Sequence, residues 1–250
     1  EIAGWTAPPF LAAFDTTHST LSAAATDTGV GVQWARDASN LPPWDGGSPL
    51  RNLLRWNLAR HDVHLLHAAV VGTDAGGLML AGPGGSGKST SALACIGAGM
   101  QFVADDYCLV RTEPDARAFP LYGIAKADAN TLRLLGGMED RASGAAIDWR
   151  GKVRLPIADV VADSLPLAAI VMPTVAQKTG RAMPLRPDDA LRVMATSTLF
   201  QLPGDGATTL AVLRRLLEAL PVYGLEVGPD IEAVPTALQD LLASLRSETR

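Results

Sequence analysis

The chain has 250 residues, 48% of them hydrophobic, with a formal net charge of -5 and a pI near 5.3. That is enough apolar material for one substantial core, in one or two domains. The acidic balance and the lack of any run of Lys and Arg argue against nucleic acid as a partner, and no apolar stretch reaches membrane-spanning length.

The start, Glu1 to Trp5, has neither an initiator Met nor a signal-peptide pattern, so further sequence ahead of it is an expectation, with the cytoplasm as the default location. Pro8-Pro9, a Thr/Ser-rich stretch from Thr16 to Thr28 and a strand from Val30 to Trp34 suggest a β-containing extension over residues 1–47. The turn-rich run Asn40 to Gly47 marks its end, and residues 48–250 form the second unit. Ser48-Pro49 reads as cap and first turn of a helix with Leu50, Leu53, Leu54 and Leu58 on one face beside Trp56. A strand from Leu65 to Val71 and a second from Leu78 to Ala81 flank the turn Gly72 to Gly77, which predicts a hairpin.

Gly82-Pro83-Gly84-Gly85-Ser86-Gly87-Lys88-Ser89 then spells G-x-x-x-x-G-K-[ST] between that strand and a helix over residues 89–96. A strand feeding a glycine turn that opens a helix aims several backbone N–H groups and the positive helix end at one point, which suits a phosphate. Lys88 supplies a point charge for the β and γ phosphates and the Ser89 hydroxyl a magnesium ligand. Gly82, Gly84, Gly85, Ser86, Gly87, Lys88, Ser89 and Thr90 are thus the expected nucleotide-binding set.

Gly97 and Gly99 stop the helix, and residues 101–104 read as a strand ending in Asp105-Asp106, with another strand over residues 107–111. Further on come a helical piece over residues 130–135, a turn-rich stretch over residues 136–151, and an apolar strand over residues 167–172 stopped by Pro173. Helices over residues 187–195 and 208–220, a strand over residues 222–227 and a closing helix over residues 235–246 complete the reading. Cys95 and Cys108 lack CxxC spacing and fall on a helix and a strand, so buried free thiols are expected rather than a disulfide or metal site. The whole is an α/β fold with a mixed sheet and flanking helices.

Seventeen positions separate Lys88 from Asp105, the length of one helix and one return strand, which brings the acidic pair to a strand end next to the phosphate loop. Of two carboxylates there, one can hold magnesium and the other can take the proton of an attacking hydroxyl. His67 sits in an apolar strand, where a histidine is more often a core residue; only the hairpin carries it toward the phosphates. Lys126 is one of four lysines and could neutralise transferring oxygens, with an exposed strand-edge lysine as the equal alternative. Arg181, Arg186 and Arg192 are candidates for the acceptor side, with surface placement the better expectation for at least two of them.

The segment from His67 to Val110, with Ala98 to Asp106 after the loop, resembles the C-terminal catalytic domain of bacterial HPr kinase/phosphorylase, whose nucleotide core is related to phosphoenolpyruvate carboxykinase. The resemblance implies Asp105 as general base, Ser89 as magnesium ligand, Lys88 as phosphate-binding lysine and His67 as catalytic histidine; it leaves Asp106 for the metal. The Leu-Glu-[IV]-Arg-Gly signature of that family is absent here: Pro120 to Lys126 stands in its place, so phosphorolysis is not expected. A Tyr-x-x-x-Lys element, Tyr122 to Lys126, and the runs Ser197 to Gly204 and Pro221 to Glu226 resemble instead the shorter HPr-kinase-related serine kinases encoded with lasso-peptide and other peptide-modification genes. The implied activity is ATP- and magnesium-dependent phosphorylation of a hydroxyl, a serine of a peptide or small protein, with a homo-oligomer compatible with the reading. A small-metabolite kinase and a non-catalytic nucleotide-binding regulatory module stand as the alternatives.

Overall fold

The computed structural model describes residues 2–7, 9–136, 139–142, 144–148, 150–202 and 206–248. Pro8 of the early proline pair, four positions of the 136–151 stretch, and Pro203-Gly204 lie outside them. The chain opens as an antiparallel meander of β1 (Ile2–Ala7), β2 (Phe10–Asp15), β3 (Thr20–Ala25) and β4 (Val30–Ala35), paired in chain order. Strand alternation puts Ala13 and Ala24 on one face, where they meet Leu53 and Trp56 of α1 (Arg51–Ala59).

Helix α1 differs from the sequence expectation. Its N-cap is Leu50, with φ 56° and no side-chain cap, because Ser48 is consumed by the preceding turn, donating its N–H to the Trp44 carbonyl at 2.8 Å. The buried face carries Arg51, Leu53, Arg55 and Trp56 rather than a leucine stripe. The helix is packed from two sides: Leu53 and Trp56 face the meander, while Arg51 and Arg55 donate into the main body, to Tyr107 Oη and the Leu202 carbonyl.

The main body is built on β5 (His64–Leu66), β6 (Ala68–Thr73), β7 (Gly76–Ala81), α2 (Lys88–Gly97), β8 (Gln101–Ala104), β9 (Cys108–Arg111), β10 (Arg117–Phe119), β11 (Ile124–Ala127), α3 (Ala129–Leu135), α4 (Glu139–Ala142), β12 (Val153–Pro156), β13 (Leu165–Val175), β14 (Met183–Pro184), α5 (Pro187–Gln201), α6 (Gly206–Ala219), β15 (Val222–Val227) and α7 (Ala233–Glu248). Nine strands form one mixed sheet in the order β5-β9-β10-β13-β7-β6-β8, with β15 beside β13 and β14 beside β15. β11 and β12 form a separate two-stranded ribbon. One sheet face packs Leu78, Leu80 and Phe102 against α2 and α7; the other packs Met79, Val103 and Ile170 against α5 and α6. No helix among the described residues is long and apolar enough to cross a membrane.

The predicted 65–71 strand is two strands broken at His67: β5 pairs with β9, while β6 pairs with β7 and β8. Pro173 does not stop its strand. Ile170 and Ala176 donate toward β15, so Pro173, an odd number of residues from each, turns its missing N–H to the other side, beyond the last β7 pairing at Val171–Leu80. α5 also runs on to Gln201, beyond the expected residue 195. Cys95 and Cys108 are free and buried, with burial pushing both thiols up to about 12.

Candidate active site

β7 runs parallel to β13, and β13 to β15, while β8 and β7 both run antiparallel to β6. The carboxyl ends of β7, β8, β13 and β15 therefore share one edge of the sheet, together with the start of β6. This is the edge where ligands of α/β sheets bind. A cavity of about 1160 Å³ opens there, lined by the phosphate loop, His67, Asp106 and Lys126.

The loop after β7 turns into α2 through Gly87, whose φ of 101° belongs to the left-handed region and whose absent side chain leaves room against Val227. Lys88 is buried and donates to the Gly82 and Pro83 carbonyls at 2.7 and 2.9 Å. Burial depresses its pKa against the opposing pull of Asp105 and Asp106. Gly84, Gly85, Ser89 and Thr90 line the cavity beside it. Thr90 also shares a hydrogen bond with Thr131 of α3 at 2.9 Å, which fixes the side wall.

The acidic pair divides sharply. Asp105 is 3% exposed; it accepts from Ser89 Oγ at 2.8 Å and from the Lys126 N–H at 2.9 Å. Burial, and then the charge of Asp106, push its pKa up. Asp106 turns the other way through a φ of 69°, a conformation that asparagine and aspartate tolerate better than other non-glycine residues. Its Oδ1 lies 3.3 Å from His67 Nε2 and its Oδ2 2.5 Å from Lys126 Nζ. Burial works to raise the Asp106 pKa, but the hydrogen bond from His67 and the charge of Lys126 outweigh it and hold the carboxylate ionised.

His67 is buried, which keeps its ring below the ordinary imidazole range and neutral at pH 7. The tautomer that donates from Nε2 to Asp106 leaves Nδ1 to share the single Ser197 hydroxyl proton, Ser197 Oγ lying 2.5 Å from Nδ1 and 2.9 Å from the Gly82 carbonyl. Gln201, one helical turn on, brings its Nε2 to 3.2 Å from the acceptor Nδ1 of the same ring. His67 is thus neither a core residue tied to backbone nor isolated; it joins α5 to Asp106. Lys126 is likewise held in the cavity wall rather than at an open strand edge.

Ser197, Gln201, Arg51 and Lys152 line the cavity as well, and no role was read for them from the sequence. Ser197 and Gln201 stand four apart on one helix, a spacing that could have marked them; nothing local marks Arg51. Of the three arginines set aside for the acceptor, only Arg192 reaches the cavity, whereas Arg181 is exposed and the exposed Arg186 pairs with Asp188 at 3.8 Å.

No protein-family model matches the sequence, and no curated protein matches it either. Among solved structures, the chain is similar to the Hpr(Ser) kinase/phosphatase from Coxiella burnetii, at 15% identity and a TM-score of 0.38, over 74% of this chain and 98% of that one. A likeness at that level leaves the functional reading to the site itself.

Proposed function

We propose that the chain is a phosphate-loop kinase that transfers the γ-phosphoryl group of ATP to a hydroxyl, a serine of a peptide or small protein. The observation that carries this reading is the convergence of Lys88, Ser89 and Asp106 on one cavity at the carboxyl edge of the sheet, with Asp105 buried directly behind Ser89. Phosphoryl transfer needs little covalent help from a protein; positioning and charge stabilisation do most of the work. Lys88 and the loop N–H groups hold the phosphates, and Lys126 faces the same space to offset charge on the transferring oxygens.

The oxygen set fits magnesium. Ser89 Oγ and Asp105 Oδ1 lie 2.8 Å apart beside the loop, and Asp105 is a buried carboxylate with no cation within ion-pairing distance among the described residues. Magnesium favours one or two protein oxygens, nucleotide phosphates and retained waters. When bound it would supply the countercharge that Asp105 lacks and neutralise the phosphates.

On these distances the proposed roles within the acidic pair are exchanged relative to the sequence expectation. Asp105 sits on the metal side with Ser89, and Asp106 orients the acceptor hydroxyl and takes its proton. An ionised carboxylate of low basicity suffices, because in a loose transition state the hydroxyl proton leaves late. His67, held by Ser197 and Gln201, positions Asp106.

The test is calorimetry with Mg-ATP followed by mass spectrometry of serine peptides after reaction. The wild type binds nucleotide at millimolar concentration or below, and Lys88→Ala abolishes transfer. No nucleotide binding to the wild type would end the kinase reading.

A further inference from the structure

Arg51 presents a cation that the phosphate chemistry leaves unused. Its side chain lies between two aromatic faces, with Cζ 5.2 Å from the Trp44 ring centre and 5.0 Å from that of Tyr107. It is only 7% exposed, yet it contributes to the cavity wall with Pro43, Trp44 and Tyr107. One terminal nitrogen donates to Tyr107 Oη, while Nε is buried without a hydrogen-bond partner. No carboxylate lies within 4.0 Å of the guanidinium among the described residues. The acid that feels its charge, Asp45, lies beyond ion-pairing distance and is held instead by Gln33 Nε2 at 2.6 Å.

A buried guanidinium without a carboxylate is costly, and two aromatic faces offset only part of that cost. Its planar fork matches an oxyanion in two-point contact. The position is also defined. Tyr107 Oη donates to Gln201 at 2.7 Å, Gln201 reaches the His67 ring, and His67 reaches Asp106, so Arg51 belongs to the acceptor end of the cavity. Val175, Val227 and Ile231 line the same cavity, Val227 beside Gly87, and give it an apolar stretch that suits a nucleobase.

We infer that Arg51, backed by Trp44 and Tyr107, is an oxyanion subsite for the phosphoryl acceptor, so that the acceptor carries a carboxylate or phosphate group near its reacting hydroxyl. This rests on the kinase reading of the same cavity, and it makes Arg51 a specificity residue rather than a catalytic one.

The experiment loads the full chain with a saturating non-hydrolysable Mg-ATP analogue, which blocks the phosphate loop, and then titrates inorganic phosphate and, separately, acetate. Phenylglyoxal labelling mapped by mass spectrometry reports on Arg51 in the wild type, so the readout does not depend on a variant that folds. At least one oxyanion protects Arg51 in the loaded protein, and which one distinguishes a carboxylate from a phosphate acceptor. Arg51→Gln weakens that oxyanion by about tenfold or more while leaving affinity for the analogue within about twofold. Analogue binding with no protection by either anion, or equal anion binding by Arg51→Gln, overturns the subsite and makes Arg51 a tie between the 42–47 loop and the core. Failure of the analogue to bind overturns the kinase reading first, and the acceptor assignment with it.

Discussion

Asp105 and Asp106 are neighbours in the chain whose carboxylates face opposite partners, one the Ser89 hydroxyl and the other the His67 and Lys126 side chains. Asp106→Asn should keep Mg-nucleotide binding and lower transfer by a factor on the order of 10² or more, as for loss of a general base. Asp105→Asn should instead raise the magnesium concentration needed for half-maximal rate. The opposite pattern in steady-state kinetics would return the base to Asp105. Lys126→Ala should cut turnover far more than it weakens ATP binding, and Lys126→Arg should restore only part, since a planar fork does not replace a point charge; equal losses in turnover and nucleotide affinity would place Lys126 in ground-state binding. His67 gives a pH signature. Its folded pKa lies below the ordinary 6.5, so below that pH the unfolded chain binds a proton the folded chain refuses, and stability falls as pH falls. Melting temperatures at pH 8 and pH 5.5 should drop more for the wild type than for His67→Gln, and parallel drops would count against a buried neutral ring. That Lys88, Ser89 and the acidic pair lie close together was legible, because local spacing sets it. Ser197 and Arg51 were not, since each meets the site across more than fifty residues of chain.

At the scale of elements, the hairpin and the helix after the loop were legible from glycine turns and short apolar runs, whereas the break at His67 was not. Leu65 to Val71 is apolar throughout apart from that residue, and apolarity does not reveal that the chain changes sheet partners there. Pro173 misled for a similar reason: a proline breaks a strand only where its N–H is needed, and that depends on how far the neighbouring strand extends. The β6–β7 hairpin has a tight point of its own at Gly72, paired with Gly77. A Cβ on Gly72 would overlap the Gly76 carbonyl oxygen and come within 2.8 Å of Gly77 Cα and Leu165 Cδ1. Two of these atoms are backbone and cannot swing aside. Gly72→Ala should therefore destabilise the fold by about 3 kcal/mol in urea denaturation, within the range for overpacking. Because the hairpin leads directly into the phosphate loop, nucleotide affinity should fall with it; a change below about 0.5 kcal/mol would show that the strands can part.

At the scale of the whole molecule, the boundary expected near residue 47 rests on composition, and in the structure α1 packs to both sides of it. The same helix sends Leu53 and Trp56 into the meander and Arg51 and Arg55 into the main body. Asn57 and Arg60 add hydrogen bonds to the Gly29 and Asp27 carbonyls on the meander side. The loop before α1 closes the other way, because Gly46 lies against the Arg154 guanidinium and Gly47 against the Lys126 side chain. Among the described side chains, the meander contributes Ala13, Ala24 and partly buried Leu11 to the cluster it shares with the two α1 residues. A four-stranded sheet needs a covering element to bury its apolar face, and α1 supplies it here. Trp56→Ala should then cost about 3 to 5 kcal/mol, the range for removing a large aromatic from a core. The consequence reaches the cavity, since loosening α1 loosens Arg51 and the Trp44 ring beside it. Calorimetry and tryptophan fluorescence should report one coincident unfolding transition in the wild type, shifted to lower temperature as a unit in Trp56→Ala. A separate early transition confined to the meander, with nucleotide binding intact above it, would show that residues 1–47 and 48–250 unfold independently.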